Sequence, residues 1–235
     1  MTAAIEVRDL RKAFGDKRVL EGVDLAVEPE EVFALMGPSG SGKTTLLRIL
    51  IGLDRSDGGT VRVAANGDVG RDVGLVMQRP AVFRRSVFEN VAYGLRLRDV
   101  PDGEIGTRVS AALDEVGLAN ERDARAWTLS AGEAQRLCFA RAAVLRPRIL
   151  LLDEFTANLD PTNVALLEAA VRAYHAATKA TVLIVTHNPF QAKRVADRAG
   201  LLLGGKIVEV GAVEALLDNP KDERTRAFVR GEMPY

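Results

Sequence analysis

The sequence predicts an α/β protein built on a largely parallel, doubly wound sheet, and three features of the chain predict it. Beyond residue 148, apolar runs of strand length alternate with helix-like runs, the pattern of parallel strands joined by crossover helices. Residues 37–45 place a glycine-rich loop between the apolar run Val32-Phe33-Ala34-Leu35-Met36 and the helix-like run Leu46-Leu47-Arg48-Ile49-Leu50-Ile51. From about residue 79 to residue 147 the β-branched runs give way to helical segments punctuated by Gly and Pro, which reads as an inserted helical unit.

In chain order, strands are expected at 5–10, 19–27, 32–36, 60–63 and 73–77. Their β-branched content and short spacing suggest a partly antiparallel sheet. Helices are expected at 86–96, 104–116 and 130–145. There follow a strand at 149–152, a helix at 161–178, a strand at 181–186, a helix at 189–196, and strands at 200–203 and 207–210. Two short helices, at 213–218 and 223–229, close the chain. No repeat, low-complexity segment or long linker interrupts the pattern, so 1–235 is expected to form a single domain, with a core from about 1–78 and 148–235 and a helical subdomain from about 79–147.

Composition narrows the classes. The 235 residues are 47% hydrophobic and 27% charged, enough for one sizeable core. Lys plus Arg and Asp plus Glu each number 32, so the formal net charge is zero. Without a polybasic stretch, nothing favours nucleic acid or an anionic membrane surface. No apolar run approaches the roughly 18 residues of a membrane span. Glu6, Arg8 and Asp9 break the N-terminal segment, which therefore does not read as a signal peptide. A soluble protein that stays where it is made is expected. The single cysteine, Cys138, excludes an internal disulfide and reads as a small buried apolar residue. His175 reads as a surface residue and Trp127 as a packing residue.

The loop carries the first chemistry. Gly37-Pro38-Ser39-Gly40-Ser41-Gly42-Lys43-Thr44-Thr45 contains G-x-x-x-x-G-K-[ST]. Glycines let the backbone wrap a phosphate chain without Cβ clashes, and the N–H groups of the loop and helix start face the anion. In this pattern Lys43 reaches the β- and γ-phosphates, and the Thr44 hydroxyl binds Mg²⁺. The second element is Ile149-Leu150-Leu151-Leu152-Asp153-Glu154, a buried strand ending in two acids where parallel strands meet their ligand crevice. Asp153 is placed to bind Mg²⁺ and Glu154 to polarise an attacking water as general base. The third is Thr128-Leu129-Ser130-Ala131-Gly132-Glu133-Ala134-Gln135-Arg136. There Ser130 and Glu133 form the capping box of a helix whose N-terminus, with Gly132 beside it, is also an anion site.

With these motifs in place, the chain resembles the nucleotide-binding subunits of ABC (ATP-binding cassette) transporters over roughly residues 3–215. The family's motifs occur here in family order. Gly37 to Thr45 matches Walker A, Gln78 after Val73-Gly74-Leu75-Val76-Met77 matches the Q-loop glutamine, and Leu129 to Arg136 matches the signature. Asp153 and Glu154 match Walker B and its catalytic glutamate. Asn158-Leu159-Asp160 matches the D-loop, and His187 after Val185-Thr186 matches the switch histidine. Phe14, in Lys12-Ala13-Phe14-Gly15, stands where the family stacks a ring on adenine. The resemblance implies a P-loop NTPase of the ABC type: a RecA-like mixed sheet core, an antiparallel β subdomain and an inserted α-helical subdomain. It further implies ATP and Mg²⁺, with Thr44, Gln78 and Asp153 at the metal and Glu154, His187 and Gln78 in catalysis. A head-to-tail homodimer is implied in which Ser130, Gly132 and Asp160 complete the partner's site.

Two departures stand out: Ala131 replaces the first signature glycine, and Phe155 stands where the family has proline. The first is expected to crowd the phosphate and the second to alter the rigidity of the loop. The implied partners are membrane permease subunits and, for an importer, a substrate-binding protein, without nucleic acid. The implied location is cytoplasmic, on the inner face of the membrane through the permease. The segments Val76-Met77-Gln78-Arg79-Pro80-Ala81-Val82-Phe83 and Glu89-Asn90-Val91-Ala92-Tyr93-Gly94 are similar to phosphate- and tungstate-type oxyanion importers. Two rival readings are weaker. A non-transport ABC ATPase of DNA repair or translation usually carries coiled coils or two cassettes, whereas Lys43 and Asp153 here lie 110 residues apart without sustained heptads. A P-loop kinase or GTPase lacks the signature and His187.

Overall fold

The computed structural model describes residues 3–64 and 69–233; the outermost residues of the expected 1–235 domain lie outside the described residues. Two sheets organise the chain. Strands β1 (Ile5–Phe14), β2 (Lys17–Val27) and β4 (Gly58–Val63) form an antiparallel sheet in the order β2-β1-β4. The second sheet takes β3 (Val32–Met36), β5 (Val73–Val76), β6 (Ile149–Asp153), β7 (Thr181–Thr186), β8 (Arg198–Leu203) and β9 (Lys206–Ala212) in the order β5-β6-β7-β3-β8-β9. All of its pairs are parallel except β8–β9.

The early strands therefore separate. The short spacing of 32–36 and 73–77 suggested membership of an antiparallel sheet, but β3 and β5 pair in parallel with β7 and β6. For β3 the reason is burial, while β5 joins as a partly buried edge strand beside β6. Every residue of β3, β6 and β7 is buried, as befits strands covered on both faces, whereas β1 and β2 alternate between buried and exposed.

Side-chain alternation across the central strands builds two cores. Leu150, Leu152, Val182 and Ile184 face a cluster that includes helices α3 (Val87–Arg96), α4 (Asp102–Glu115), α5 (Ala131–Ala143) and α6 (Pro161–Thr178). Ile149, Leu151, Phe33, Leu35, Leu183 and Val185 face the other way, onto α1 (Lys43–Leu50) and the antiparallel sheet. A third cluster joins Met36 and Leu201 to α7 (Pro189–Val195), α8 (Val213–Asp218) and α9 (Glu223–Val229). The α6, α8 and α9 boundaries and those of β3 and β7 coincide with the sequence expectation. A four-residue helix α2 (Val69–Asp72) and a 3₁₀ turn at Ala126–Thr128 were not anticipated, being too short for a periodic signal.

The helices start where capping chemistry puts them. Ser86 accepts from Glu89 N, Asp160 accepts from Thr162 N and Asn163 N, and Asn188 accepts from Phe190 N and Gln191 N. Pro161 and Pro189 follow as first helical residues. Three smaller readings change. Trp127 is half exposed, beside the Arg125 guanidinium at 5.6 Å, and so is not a packing residue. His175 is half-buried, its Nδ1 2.9 Å from the Ala180 carbonyl beyond the end of α6. Phe155 is fully buried in the first core, so burial, rather than a proline ring, anchors the loop after β6.

Candidate functional site

The glycine-rich loop is shaped by close approach. Gly42 has φ +104, and a Cβ there would stand 2.7 Å from Leu20 Cδ2 and 2.9 Å from the Val19 carbonyl. A Cβ on Gly37 would meet the Leu202 carbonyl at 2.3 Å. Glycine at these positions lets the loop lie against β2 and β8 and deliver the chain into α1. That helix begins with no side-chain cap, which leaves the unpartnered N–H groups of its first turn for an anion seated in the loop.

Lys43 opens α1 and is buried, with 4% of its surface exposed. Its ammonium donates to the carbonyls of Gly37 at 2.8 Å and Pro38 at 2.9 Å, and lies 3.5 Å from Glu154 Oε1. Burial pushes the Lys43 pKa down, and the charges of Glu154 and Asp153 pull it back. Next in the helix, the Thr44 hydroxyl donates to Asp153 Oδ1 at 3.1 Å. Burial also pushes Asp153 up, against the Thr44 hydrogen bond that favours its ionised form.

Asp153 is the last residue of β6, and the chain turns immediately after it. Glu154 donates its backbone N–H to the Val185 carbonyl at 2.9 Å and adopts φ +41, a left-handed conformation that a glutamate rarely takes. That turn places Glu154 Oε2 3.3 Å from Gln78 Nε2 and 3.3 Å from His187 Nδ1. Three strand ends thus meet: β5 leads to Gln78, β6 to Asp153 and Glu154, and β7 to His187. The cavity beside them measures about 420 Å³ and is lined by Phe14, Lys17, Ser39, Gly40, Lys43, Gln78 and Glu154, among others. Phe14 is half exposed at its rim, with the Lys12 ammonium 5.1 Å from the ring centroid. Polar groups converging at the C-terminal ends of parallel strands can hold a polyphosphate, a divalent cation and a polarised water.

Ser130, Gly132 and Asp160 do not line this cavity. They form a second cluster at the N-termini of α5 and α6. Ser130 and Glu133 make the predicted capping box, with Glu133 Oε2 accepting from Ser130 N at 2.8 Å and Ser130 Oγ at 2.7 Å. Gly132 has a reason within its own chain: a Cβ there would stand 2.4 Å from the Asn163 side chain. Asn163 donates to Asp160 Oδ2, and its Oδ1 accepts from Arg136 Nε at 3.1 Å. The start of α6 is thereby locked to the start of α5. Ala131 is exposed at the tip of that helix end.

The sequence reading missed two features of the site. One is the left-handed backbone at Glu154, which has no marker in a residue type. The other is the buried Gln135, whose Nε2 donates to the Met77 carbonyl at 2.9 Å and ties α5 to the segment carrying Gln78. The Asp160–Asn163 pair was legible in principle, as an acid capping a helix with a polar residue three positions on.

A sequence profile of the family described as "ABC transporter" matches residues 20–157. The chain is similar to a "Probable anion import ATP-binding protein" of Haloferax volcanii, 42% identical and covering 98% of this chain and 88% of that protein. It is also similar to the "Phosphate import ATP-binding protein PstB" of Pyrobaculum aerophilum, 40% identical over 98% and 99% of the two chains. The "Tungstate uptake system ATP-binding protein TupC" of Peptoclostridium acidaminophilum is 39% identical over 87% and 97%. Among solved structures, cbiO1 from Clostridium perfringens, part of the ABC transporter complex cbiONQ, superposes with a TM-score of 0.85 at 24% identity. The match covers 99% of this chain and 100% of that one, and it speaks for the fold.

Asp153 is costly where it stands. Its folded-state pKa is raised, so the ionised form destabilises the fold at any pH above that raised value, and the cost fades as pH falls through it toward 3.8. Asp153→Asn should therefore raise the thermal midpoint at pH 7. The gain should shrink on acidification. Calorimetry from neutral pH downward checks this; a midpoint unchanged or lowered at neutral pH would contradict it.

Proposed function

The chain belongs to the ABC transporter family, is an ATPase, and drives a separate membrane permease with ATP; we propose that hydrolysis is performed by the residues gathered around Lys43 and Glu154. The observation that carries the proposal is the meeting at three adjacent strand ends of Gln78, hydrogen-bonded to Glu154, and His187, whose ring stands 3.3 Å from the same carboxylate, next to a buried lysine. Among the described residues, no helix is long and apolar enough to cross a membrane, in keeping with a permease on other chains.

The geometry supports the following roles. The loop residues Gly37, Pro38, Ser39, Gly40, Ser41, Gly42, Thr44 and Thr45 and the start of α1 cradle the phosphates, and Phe14 offers a ring face to the base. Lys43 neutralises charge on the terminal phosphate. Glu154 holds and polarises water, and His187, 3.3 Å from its Oε2, helps orient it. Thr44 and Asp153, with the amide oxygen of Gln78, form a hard oxygen donor set suited to Mg²⁺. The buried, unwillingly charged Asp153 fits a site meant to face a cation. When bound, Mg²⁺ supplies charge neutralisation at the phosphates.

Ser130, Gly132 and Asp160 lie apart from this cavity, which supports a head-to-tail homodimer in which they close over the partner's nucleotide. We also read the chain as one domain, with a core from about 1–78 and 148–235 and a helical subdomain from about 79–147. The contacts of α3, α4 and α5 with one another support that division.

An importer of an oxyanion such as phosphate or tungstate is the reading favoured by the relatives' names. A substrate-binding protein would deliver the cargo, and the ATPase would sit on the cytoplasmic face of the membrane through its permease. The permease dock is the apolar groove of about 340 Å³ lined by Leu75, Phe83, Tyr93, Leu97 and Leu145. Phe83 packs on Tyr93 at 4.9 Å, and Arg84 and Arg85 stand exposed beside it. A groove of this kind suits a helix with an apolar face and an acidic flank.

Glu154→Gln should bind ATP at near wild-type affinity, lose at least about 100-fold in turnover, and accumulate as an ATP-bound dimer on gel filtration. A monomer turning over at the normal rate would remove Glu154 from the base role. In vesicles with the permease, ATPase turnover should rise when a binding protein loaded with phosphate or tungstate is supplied. Arg84→Glu should abolish that rise while leaving ATP affinity of the free subunit within about twofold. Stimulation unchanged by Arg84→Glu would place the dock elsewhere, and stimulation by a sugar-loaded binding protein alone would overturn the oxyanion reading.

A further inference from the structure

A second polar network lies behind the site, and nothing in the roles above uses it. Glu168, on α6, is 3% exposed, and Gln191, on α7, is 2% exposed. Arg194 clamps Glu168 with two hydrogen bonds, Nε at 2.8 Å and Nη2 at 2.7 Å. Gln191 Nε2 reaches Glu168 Oε1 at 3.3 Å and Thr156 Oγ1 at 2.6 Å. Thr156 belongs to the loop between Glu154 and Asp160. One buried amide therefore joins three elements: that loop, α6 and α7. Buried polar groups are expensive unless satisfied, and a satisfied network of this kind fixes one arrangement of the parts it joins.

The parts it joins are those that carry the catalytic pair. Gln191 sits in the first turn of α7, where Asn188 caps both its N–H at 3.2 Å and that of Phe190 at 2.9 Å. Asn188 in turn donates its N–H to Thr186 Oγ1 at 3.0 Å. His187 lies between these two residues, so its backbone is held at one end by β7 and at the other by a helix start that Gln191 pins. On the opposite side, Thr156 is two residues beyond Glu154, in a loop whose other end, Asp160, caps α6. A movement of α7 away from α6 would stretch the Gln191–Thr156 bond and the His187–Glu154 contact together.

We infer that the Thr156–Gln191–Glu168–Arg194 network positions His187 against Glu154, with Gln191 and Thr156 as its working link. These are positioning residues acting through His187. The Arg194–Glu168 pair is the anchor, because its carboxylate is buried while the guanidinium reaches the surface and keeps the charge compensated. The inference rests on His187 and Glu154 serving hydrolysis as proposed above.

The test is a double-mutant cycle in single-turnover ATP hydrolysis with the full-length chain. Thr156→Val keeps nearly the same shape and removes the acceptor for Gln191. It should lower the hydrolysis rate about tenfold, since small misplacements of a catalytic group are that costly. ATP affinity should stay within about twofold, because nothing at the phosphate loop changes. Thr156→Ser should restore the rate by returning the hydroxyl. In a His187→Ala background, Thr156→Val should cost little further, because the group it positions is gone. A wild-type rate for Thr156→Val, a Ser variant no better than Val, or an equal loss with and without His187 would each overturn the inference. If His187→Ala alone hydrolyses at the wild-type rate, it is the assignment of His187 that fails.

Discussion

A lysine ammonium buried at the opening of a helix sets the terms for everything around it. Lys43 has given up most of its hydration, and in exchange it holds two loop carbonyls and faces the Glu154 carboxylate. An isolated charge in that position would cost several kcal/mol. It is tolerated because the loop folds back far enough to bring the Gly37 and Pro38 carbonyls to the Nζ, and because two acids stand at the end of β6, two strands away in the sheet. The glycines follow from this requirement: without them β2 and β8 could not approach the loop so closely. The order β6-β7-β3 follows as well, since it sets Glu154 and His187 on adjoining strand ends and Lys43 on the helix that leaves the third.

The acids beside that charge are poised rather than relaxed, Asp153 because burial disfavours its ionised form. Asp153 is buried and reluctant to ionise, with one hydroxyl donor in Thr44. Glu154 is held in a left-handed turn and shared among a lysine, an amide and an imidazole. This arrangement is less stable than an apolar one of the same volume. Such strain is tolerable where it is used, and here it is gathered in one place while the rest of the fold is conventionally packed. The signature cluster differs in kind. Ser130, Glu133, Arg136, Asp160 and Asn163 are mutually satisfied, so that surface is preorganised. In the proposed dimer, this rigid surface on one chain would close over the strained cavity of the other.

Much of this was legible in the residues, for specific reasons. The loop announces itself because glycines at fixed spacing before a lysine have few other uses. β6 announces itself because an unbroken apolar run ending in two acids has strand length. The helix start at Ser130 was visible through its capping box, and the starts at Pro161 and Pro189 through the proline that opens each helical run. Less visible was which sheet β3 and β5 would join, because strand pairing is a long-range property that short local spacing does not report. Trp127 looked like a packing residue because tryptophan usually is one, but its segment ends in a 3₁₀ turn at the surface. The positive φ at Glu154 and the Gln135 and Gln191 side-chain bonds depend on tertiary neighbours and left no local trace.

The central claim is that a complete hydrolytic site takes Lys43 from one chain and Ser130 from another. The direct measurement is ATPase activity after mixing Lys43→Ala chains with Ser130→Phe chains, mixed dimers being confirmed by differential tags. Each variant alone should be inactive. The mixture should recover about a quarter of wild-type turnover, since half the dimers are mixed and each of those keeps one intact site of two. Full turnover by Ser130→Phe alone, or silence in a mixture shown to contain mixed dimers, would contradict the account.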